Sequence, residues 1–106
     1  SVHALMLDEK GEAMTAGRLQ INSAEEGQIR SMAVRESEQK NGYGTKMLLW
    51  LEEEARRRRM KHIVLDARDI AVQFYLKNGY VVEGDSYTLF GSIVHYRMKK
   101  TLNFEL

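Results

Sequence analysis

Residues 39–44 read Gln-Lys-Asn-Gly-Tyr-Gly and stand between a strand-like stretch, residues 28–34, and a stretch with the pattern of an amphipathic helix. The apolar residues of that helix fall at i, i+1, i+4 and i+8 on one stripe: Met47, Leu48, Leu51 and Ala55. A helix N-terminus carries unpaired N–H groups and partial positive charge, and glycine lets a ligand approach the backbone closely. The stretch therefore suits a phosphate or pyrophosphate, although the two glycines are also consistent with a tight turn alone.

On both sides of this stretch, the pattern of apolar and polar residues predicts a mixed α/β fold. Strands are expected over 3–7, 13–21, 28–34, 62–67, 80–84 and 92–98, and helices from about 45 to about 60 and from 69 to 77. The order is β-β-β-α-β-α-β-β. A strand, helix and strand in succession, with buried strands, imply at least one parallel pair formed by a right-handed crossover.

Composition predicts one globular domain over residues 1–106. The chain is 43% hydrophobic and 29% charged, with a net charge of +1, no cysteine and no apolar run long enough to cross a bilayer. We expect a cytoplasmic protein without a membrane partner. The three histidines are widely spaced, so no metal site is expected. Glutamates precede the arginine run at 56–59, which favours a solvated helix face over nucleic-acid contact.

A second distinctive stretch is residues 71–80, Ala-Val-Gln-Phe-Tyr-Leu-Lys-Asn-Gly-Tyr. Tyr75 lies on the same helical stripe as Ala71 and Phe74, and an aromatic residue in that position is commonly part of a core. Asn78 and Gly79 are typical of a helix end.

Taken together, the two stretches resemble motifs of the GNAT superfamily of acyl-CoA-dependent N-acetyltransferases. Gln39, Gly42 and Gly44 fit its pyrophosphate loop, [QR]-x-x-G-x-[GA]. The second stretch fits A-x-x-[FL]-Y-x-x-x-G-[FY], and the resemblance extends from the first strand to about residue 100.

The resemblance implies a site for acetyl-CoA, used as a co-substrate, in a splay between two central parallel strands. The backbone of Met32, Ala33 and Val34 would bind the pantetheine arm. The pyrophosphate would be held by Gln39, Lys40, Asn41, Gly42, Tyr43, Gly44 and Thr45. Tyr75 would protonate the departing CoA thiolate, because a phenol with a pKa near 10 is neutral at physiological pH. The acetyl group would pass directly to a primary amine, with no metal.

The chain also departs from the family pattern. The strand and two helices that normally precede its first strand are missing, so we expect a fragment, a minimal form completed by a homodimer partner, or a form without transferase activity. The last of these would be a CoA-binding or protein-interaction module. In the family, an Asn that contacts the cofactor is common three residues before the position of Ala71. This chain has Arg68 there, so it departs from the family in that one cofactor contact.

The acceptor and the general base are not identified by the sequence. Four side chains are candidates for the base: Glu25, Glu26, Glu83 and His95. A chain of water molecules is the other candidate. The acceptor could be a small molecule or a peptide amine.

Overall fold

The protein is described by a computed structural model over residues 1–35, 42–91 and 93–102, and Gln39, Lys40 and Asn41 of the predicted loop lie outside these residues. The elements are β1 (Val2–Leu7), β2 (Ala13–Ile21), β3 (Glu26–Val34), α1 (Tyr43–Arg57), β4 (His62–Arg68), α2 (Asp69–Lys77), β5 (Val81–Phe90) and β6 (Ile93–Thr101). This order confirms the prediction of a mixed α/β fold.

The described residues form a six-stranded sheet in the order β1-β2-β3-β4-β6-β5. β3 and β4 are the parallel pair, and the other neighbouring strands are antiparallel. This arrangement confirms the expected central parallel pair. None of the described helices is long and apolar enough to cross a membrane.

Both helices lie on one face of the sheet. A Cβ placed on Gly44 of α1 would lie 3.5 Å from Phe74 of α2, which shows how closely the helices approach. Beneath them is a core of buried side chains from both layers: Leu19, Leu48, Leu51, Ile63, Leu65 and Met98. Gly17 permits this packing, because a Cβ at that position would lie only 2.9 Å from Leu51 Cδ1. We call the opposite face, which no described helix covers, the open face.

Helix α1 begins and ends earlier than predicted. Its N-cap is Gly42, with φ of 76°, so the helix starts at Tyr43 rather than near residue 45. It ends at Arg57 rather than near residue 60 because Arg59 adopts a left-handed φ of 62°. The Met60 N–H then bonds to Ala55 O at 3.1 Å, as in a Schellman motif. No glycine marks this helix end in the sequence, so the pattern did not reveal it.

Helix α2 has the predicted limits and ends in the same motif. Gly79 has a φ of 91°, and the Tyr80 N–H bonds to Tyr75 O at 3.0 Å. The last two strands are longer than predicted. β5 continues through Gly84, where a shift in its register with β6 occurs between Val82 and Tyr87.

Candidate active site

The parallel strands β3 and β4 pair only at their beginnings. Glu26, Gly27 and Gln28 lie opposite residues 62–64, and no further pairing occurs between the two strands. β3 continues to Val34 nevertheless, so its backbone groups on the side towards β4 have no partner on that strand beyond Gln28. The strands consequently diverge into a splay of the kind that the sequence motifs imply.

A β-bulge in β3 accounts for this divergence. Arg30 lies opposite Arg18 of β2, whereas Ala33 lies opposite Ala16, so two residues of β3 face one residue of β2. Ser31, the first residue of the bulge, has a φ of 57°. Such a conformation is costly for a residue with a Cβ, and an extra residue bends a strand and increases its twist. The bend carries the rest of β3 away from β4.

The splay contains a cleft of about 360 Å³. Its walls come from β3, β4, the start and middle of α2, and the β5–β6 hairpin: Gln28, Ile29, Arg30, Ser31, Met32, Leu65, Asp66, Ala67, Arg68, Ile70, Ala71, Tyr75, Phe90 and His95. Along β4, Leu65 and Ala67 are buried in the core beneath the helices, whereas Asp66 and Arg68 alternate with them and lie on the open face. The cleft therefore connects the two faces of the sheet.

The predicted pantetheine-binding residues follow the bulge. Met32 lines the cleft, and Ala33 and Val34 continue β3, where they pair with Ala16 and Thr15 of β2. At this point β3 is paired with β2 on one side, and its other edge faces the splay and does not pair with β4.

The described part of the glycine stretch contains two glycines with different roles. Gly42 has a left-handed φ, which glycine adopts readily, and a Cβ at this position would meet no other atom within 4 Å. Gly44 is buried, and a Cβ there would come within 3.2 Å of Val34 Cγ2. The first turn of α1 has no side-chain cap and no acidic residue, which leaves its N–H groups suited to an anion. Tyr43 and Thr45, in the same turn, are half-buried.

Tyr75 belongs to the core and to the cleft at the same time. It is 9% exposed, and its ring meets those of Phe74 and Tyr80 edge-on at centroid distances of 5.0 and 5.6 Å. Burial raises the pKa of the Tyr75 phenol above 10, so the hydroxyl carries its proton at neutral pH. Among the described residues, this hydroxyl has no hydrogen-bond partner. A buried, protonated donor facing a cleft is suited to proton transfer.

A buried polar cluster lies behind Tyr75. Glu52 of α1 is fully buried and accepts hydrogen bonds from Tyr80 Oη at 2.9 Å and Lys100 Nζ at 3.0 Å. Lys100 Nζ also donates to Asn78 O at 2.9 Å. Burial, and the charge of Glu52, strongly raise the pKa of the Tyr80 phenol. The cluster joins α1 and β6 to the turn that ends α2, and thereby helps to hold Tyr75 in position.

Glu52 and Arg56 have the i,i+4 spacing of an ordinary surface ion pair on a helix. The two side chains are 3.9 Å apart, but Glu52 is buried. A signal was present, because Glu52 lies four residues after Leu48 and next to Leu51, on the apolar stripe. The neighbouring arginines are paired with other glutamates, Arg56 with Glu53 at 2.8 Å among them.

Of the four candidate bases, His95 alone lines the cleft. Its Nδ1 lies 3.2 Å from Ile93 O, and its ring meets Phe90 edge-on at 4.7 Å. Glu26 lies at the paired end of β3, 2.9 Å from His62 Nε2, and Glu25 pairs with Lys61. Neither these two glutamates nor Glu83 reaches the cleft walls.

Three charged residues that line the cleft were not selected as site residues from the sequence: Arg30, Asp66 and Arg68. Arg30 on β3 is distant in sequence from Asp66 and Arg68 on β4, and only the arrangement of the two strands brings the three residues to one cleft. Cross-strand register places Asp66 beside Arg97 and Arg68 beside His95.

Comparison with known proteins agrees with this geometry. The sequence profile of the acetyltransferase (GNAT) family matches residues 1–80, and the chain belongs to this family. Acetyl-CoA is the co-substrate of the family.

Among solved structures, the chain is similar to an acetyltransferase from Bacillus cereus, with 24% identity and a TM-score of 0.84 over 95% of this chain and 72% of the other. An aminoglycoside 6'-N-acetyltransferase complexed with coenzyme A shares 18% identity and a TM-score of 0.82, covering 98% of this chain and 74% of that one. A GNAT family acetyltransferase from Elizabethkingia anophelis with acetyl-CoA bound shares 16% identity and a TM-score of 0.75, covering 90% and 72%. At these identities the likeness concerns the fold. Across eight of the solved structures it resembles, the chain spans between 66% and 74% of the other chain's length.

Proposed function

We propose that residues 1–106 form one GNAT-type domain that transfers the acetyl group of acetyl-CoA to a primary amine. The observation that carries the proposal is the cleft between β3 and β4, which has Tyr75 in its wall and the N-terminus of α1 near the same end of β3. Membership of the family supports the reaction class.

In this proposal, acetyl-CoA lies along the edge of β3 that faces the splay. The backbone groups of Met32, Ala33 and Val34 bind the pantetheine arm. The N–H groups at Gly42–Thr45, together with residues 39–41, bind the pyrophosphate, because an uncapped helix N-terminus favours anions. The thioester then lies in the cleft beside Tyr75.

The chemistry is direct transfer. The neutral amine nitrogen attacks the thioester carbonyl carbon, the C–N bond forms, and the C–S bond breaks. The CoA sulfur leaves with the electron pair and takes the phenolic proton of Tyr75, while the amine loses one proton to a base and ultimately to solvent. His95 is the candidate base that lines the cleft, and a water molecule is the other candidate. Backbone N–H groups at the splay polarise the carbonyl.

The first prediction concerns the proton donor. Tyr75→Phe should bind acetyl-CoA as the unchanged chain does but lower turnover by ~10²–10⁴, because the ring stays and the donated proton is lost. Thiol release in the presence of an amine panel measures turnover, and calorimetry measures binding. Tyr87→Phe is the matched control, since Tyr87 is 62% exposed on β5 and lies outside the cleft.

Two results would count against the proposal. Unchanged turnover in Tyr75→Phe would remove Tyr75 from the mechanism. Tight binding of acetyl-CoA with no acetyl transfer to any amine would favour the alternative function, a CoA-binding module of the same fold.

We also propose that the chain forms a homodimer through the edge of its sheet. β1 is an edge strand, and its Leu5 and Leu7 are 65% and 53% exposed. An unpaired strand edge with apolar side chains favours pairing with a second chain. Light scattering tests this, and a monomer mass at the concentration of the assay would contradict it.

A further inference from the structure

The charges around the cleft are concentrated where it opens on the open face. Arg30 lies on β3 and Arg68 on β4, on the two sides of the splay, while Asp66 also belongs to β4 and His95 lies on β6 opposite Arg68. The apolar part of the cleft, with Tyr75, lies on the helix side. An acceptor that reaches the thioester from the open face therefore passes these charged residues.

Among the described residues of the cleft wall, the one carboxylate is that of Asp66, and it is already neutralised. Asp66 Oδ1 lies 2.9 Å from Arg97 Nε, and Arg97 Nη2 donates to Oδ2 at 3.4 Å. In contrast, the guanidinium groups of Arg30 and Arg68 form no ion pair or hydrogen bond with any described residue. The opening consequently carries an excess of positive charge.

The surroundings of Arg30 strengthen this excess. Arg18 lies directly opposite it across β2 and β3, and like charges in that position repel one another. Arg18 Nε is buried and has no hydrogen-bond partner in the described part of the chain. A bound anion would relieve the repulsion and supply acceptor oxygens for these guanidinium groups.

We propose that the acceptor is an amine that carries a carboxylate close to its amino group, which Arg30 and Arg68 bind while the nitrogen enters the cleft. This inference rests on the proposed acetyl transfer and names its substrate class. Arginine is suited to the role because its planar fork matches a carboxylate in two parallel hydrogen bonds. Polycationic amines such as polyamines are disfavoured by the same charges. The carboxylate can be that of a free amino acid or the side chain of an acidic N-terminal residue in a peptide.

Matched acceptor pairs test the proposal. Each α-amino acid is compared with its own α-amide, and a peptide amide that begins with Asp is compared with the same peptide that begins with Asn. The acid of at least one pair should have a kcat/KM roughly tenfold or more above that of its neutral mate, as expected for a charge-assisted contact. The pair that shows the preference identifies the source of the carboxylate.

Variants then locate the contact. The double variant Arg30→Gln, Arg68→Gln should abolish the preference for the acid, mainly through a higher KM for the acceptor, with the KM for acetyl-CoA unchanged. Arg57→Gln is the matched control, because Arg57 is exposed on α1 and does not line the cleft. The proposal would be overturned if the double variant kept the preference for the acid, or if it weakened the binding of acetyl-CoA instead. The second result would mean that the arginines hold phosphate groups of CoA.

A binding measurement keeps this inference separate from the proposed activity. With CoA present, N-acetylglycine should shift the side-chain NMR signals of Arg30 and Arg68, and N-acetylglycinamide should not. Failure of every amine to react, together with these shifts, would contradict the proposed transfer and support the carboxylate site. Equal shifts with both probes, or no shifts with either, would contradict the site.

Discussion

The two halves of the β3–β4 pair differ in what fills the space between them. At the beginning of the pair, Glu26–Gln28 and residues 62–64 form a regular parallel ladder, which is stabilised by a hydrogen bond of 2.9 Å between Glu26 and His62. At the end of the pair the ladder stops, and a cleft takes its place. The same two strands therefore provide both the scaffold and the candidate site.

The difference has a local cause. The bulge at Ser31 is the point where β3 changes from a paired strand into the wall of a cleft. Ser31 has a left-handed backbone conformation, which is rare for a residue other than glycine, and such conformations tend to occur at functional sites. One residue in an uncommon conformation thus separates the structural half from the candidate active half.

Deletion of Ser31 should have the largest effect on this difference. The deletion restores one-to-one pairing between β2 and β3. The residues before and after position 31 keep the faces of the sheet that they occupy now, so β3 can straighten towards β4. We expect the affinity for acetyl-CoA to fall on the order of 1,000-fold, the change that would follow from a closed cleft. Calorimetry measures the affinity.

The control for the deletion is Ser31→Gly, which keeps the bulge. It should keep the affinity and raise the free energy of unfolding by about 1 kcal/mol, since glycine adopts this φ without the cost of a Cβ. Full affinity for acetyl-CoA in a folded deletion variant would show that the bulge does not create the site.

Glu52→Ala should have the next largest effect, because it removes the buried carboxylate that connects α1 to Tyr80 and Lys100. A buried Tyr80 hydroxyl and a partly buried Lys100 ammonium lose their shared partner, which costs about 3 kcal/mol of unfolding free energy. Urea denaturation measures the loss. Glu53→Ala is the control, with an expected change within about 0.5 kcal/mol, since the Glu53 side chain is 63% exposed. A loss of similar size in both variants would contradict the structural role of the cluster.

The smallest expected effect concerns how the free energy of unfolding depends on pH, through the part of β3 and β4 where the two strands are paired. Hydrogen bonds from Asn22 and His62 lower the pKa of Glu26 below its ordinary value of 4.5. A folded-state pKa below the unfolded value stabilises the fold above that unfolded value, and the contribution is lost as the pH falls through the folded-state pKa. The free energy of unfolding of Glu26→Gln should thus decline less steeply below about pH 4.5 than that of the unchanged chain. Parallel curves for the two proteins would contradict this contribution.

Most of the fold follows from local sequence patterns. The stripe through Leu48 and Leu51 identifies α1, and Asn78 with Gly79 marks the end of α2, because periodicity and glycine act over a few neighbouring residues. The end of α1, which the left-handed Arg59 follows, and the bulge at Ser31 were not predicted. Both Arg59 and Ser31 are exposed residues other than glycine with a left-handed φ, a conformation that their own backbone preferences do not favour.

The candidate site was predictable where short motifs carry it. Tyr75 and Gly44 belong to such motifs, and both lie at or beside the splay. The charges on the acceptor side were not predictable. Arg30 and Asp66 belong to different strands, and their meeting at one cleft depends on sheet register, which the sequence of either strand does not specify alone.

The central claim is tested most directly by calorimetric titration of acetyl-CoA into three proteins. They are the unchanged chain, the variant Gly42→Glu and the variant Gly11→Glu. Both glycines have a left-handed φ and open space at the Cβ position, so the two substitutions introduce the same strain and the same charge. They differ in that Gly42 caps α1, whereas Gly11 lies in the β1–β2 turn. We predict saturable binding to the unchanged chain and to Gly11→Glu, and binding at least about tenfold weaker to Gly42→Glu, because a carboxylate would repel the pyrophosphate. No binding to the unchanged chain, or equal binding to both variants, would contradict the assignment of this helix end and cleft to acetyl-CoA.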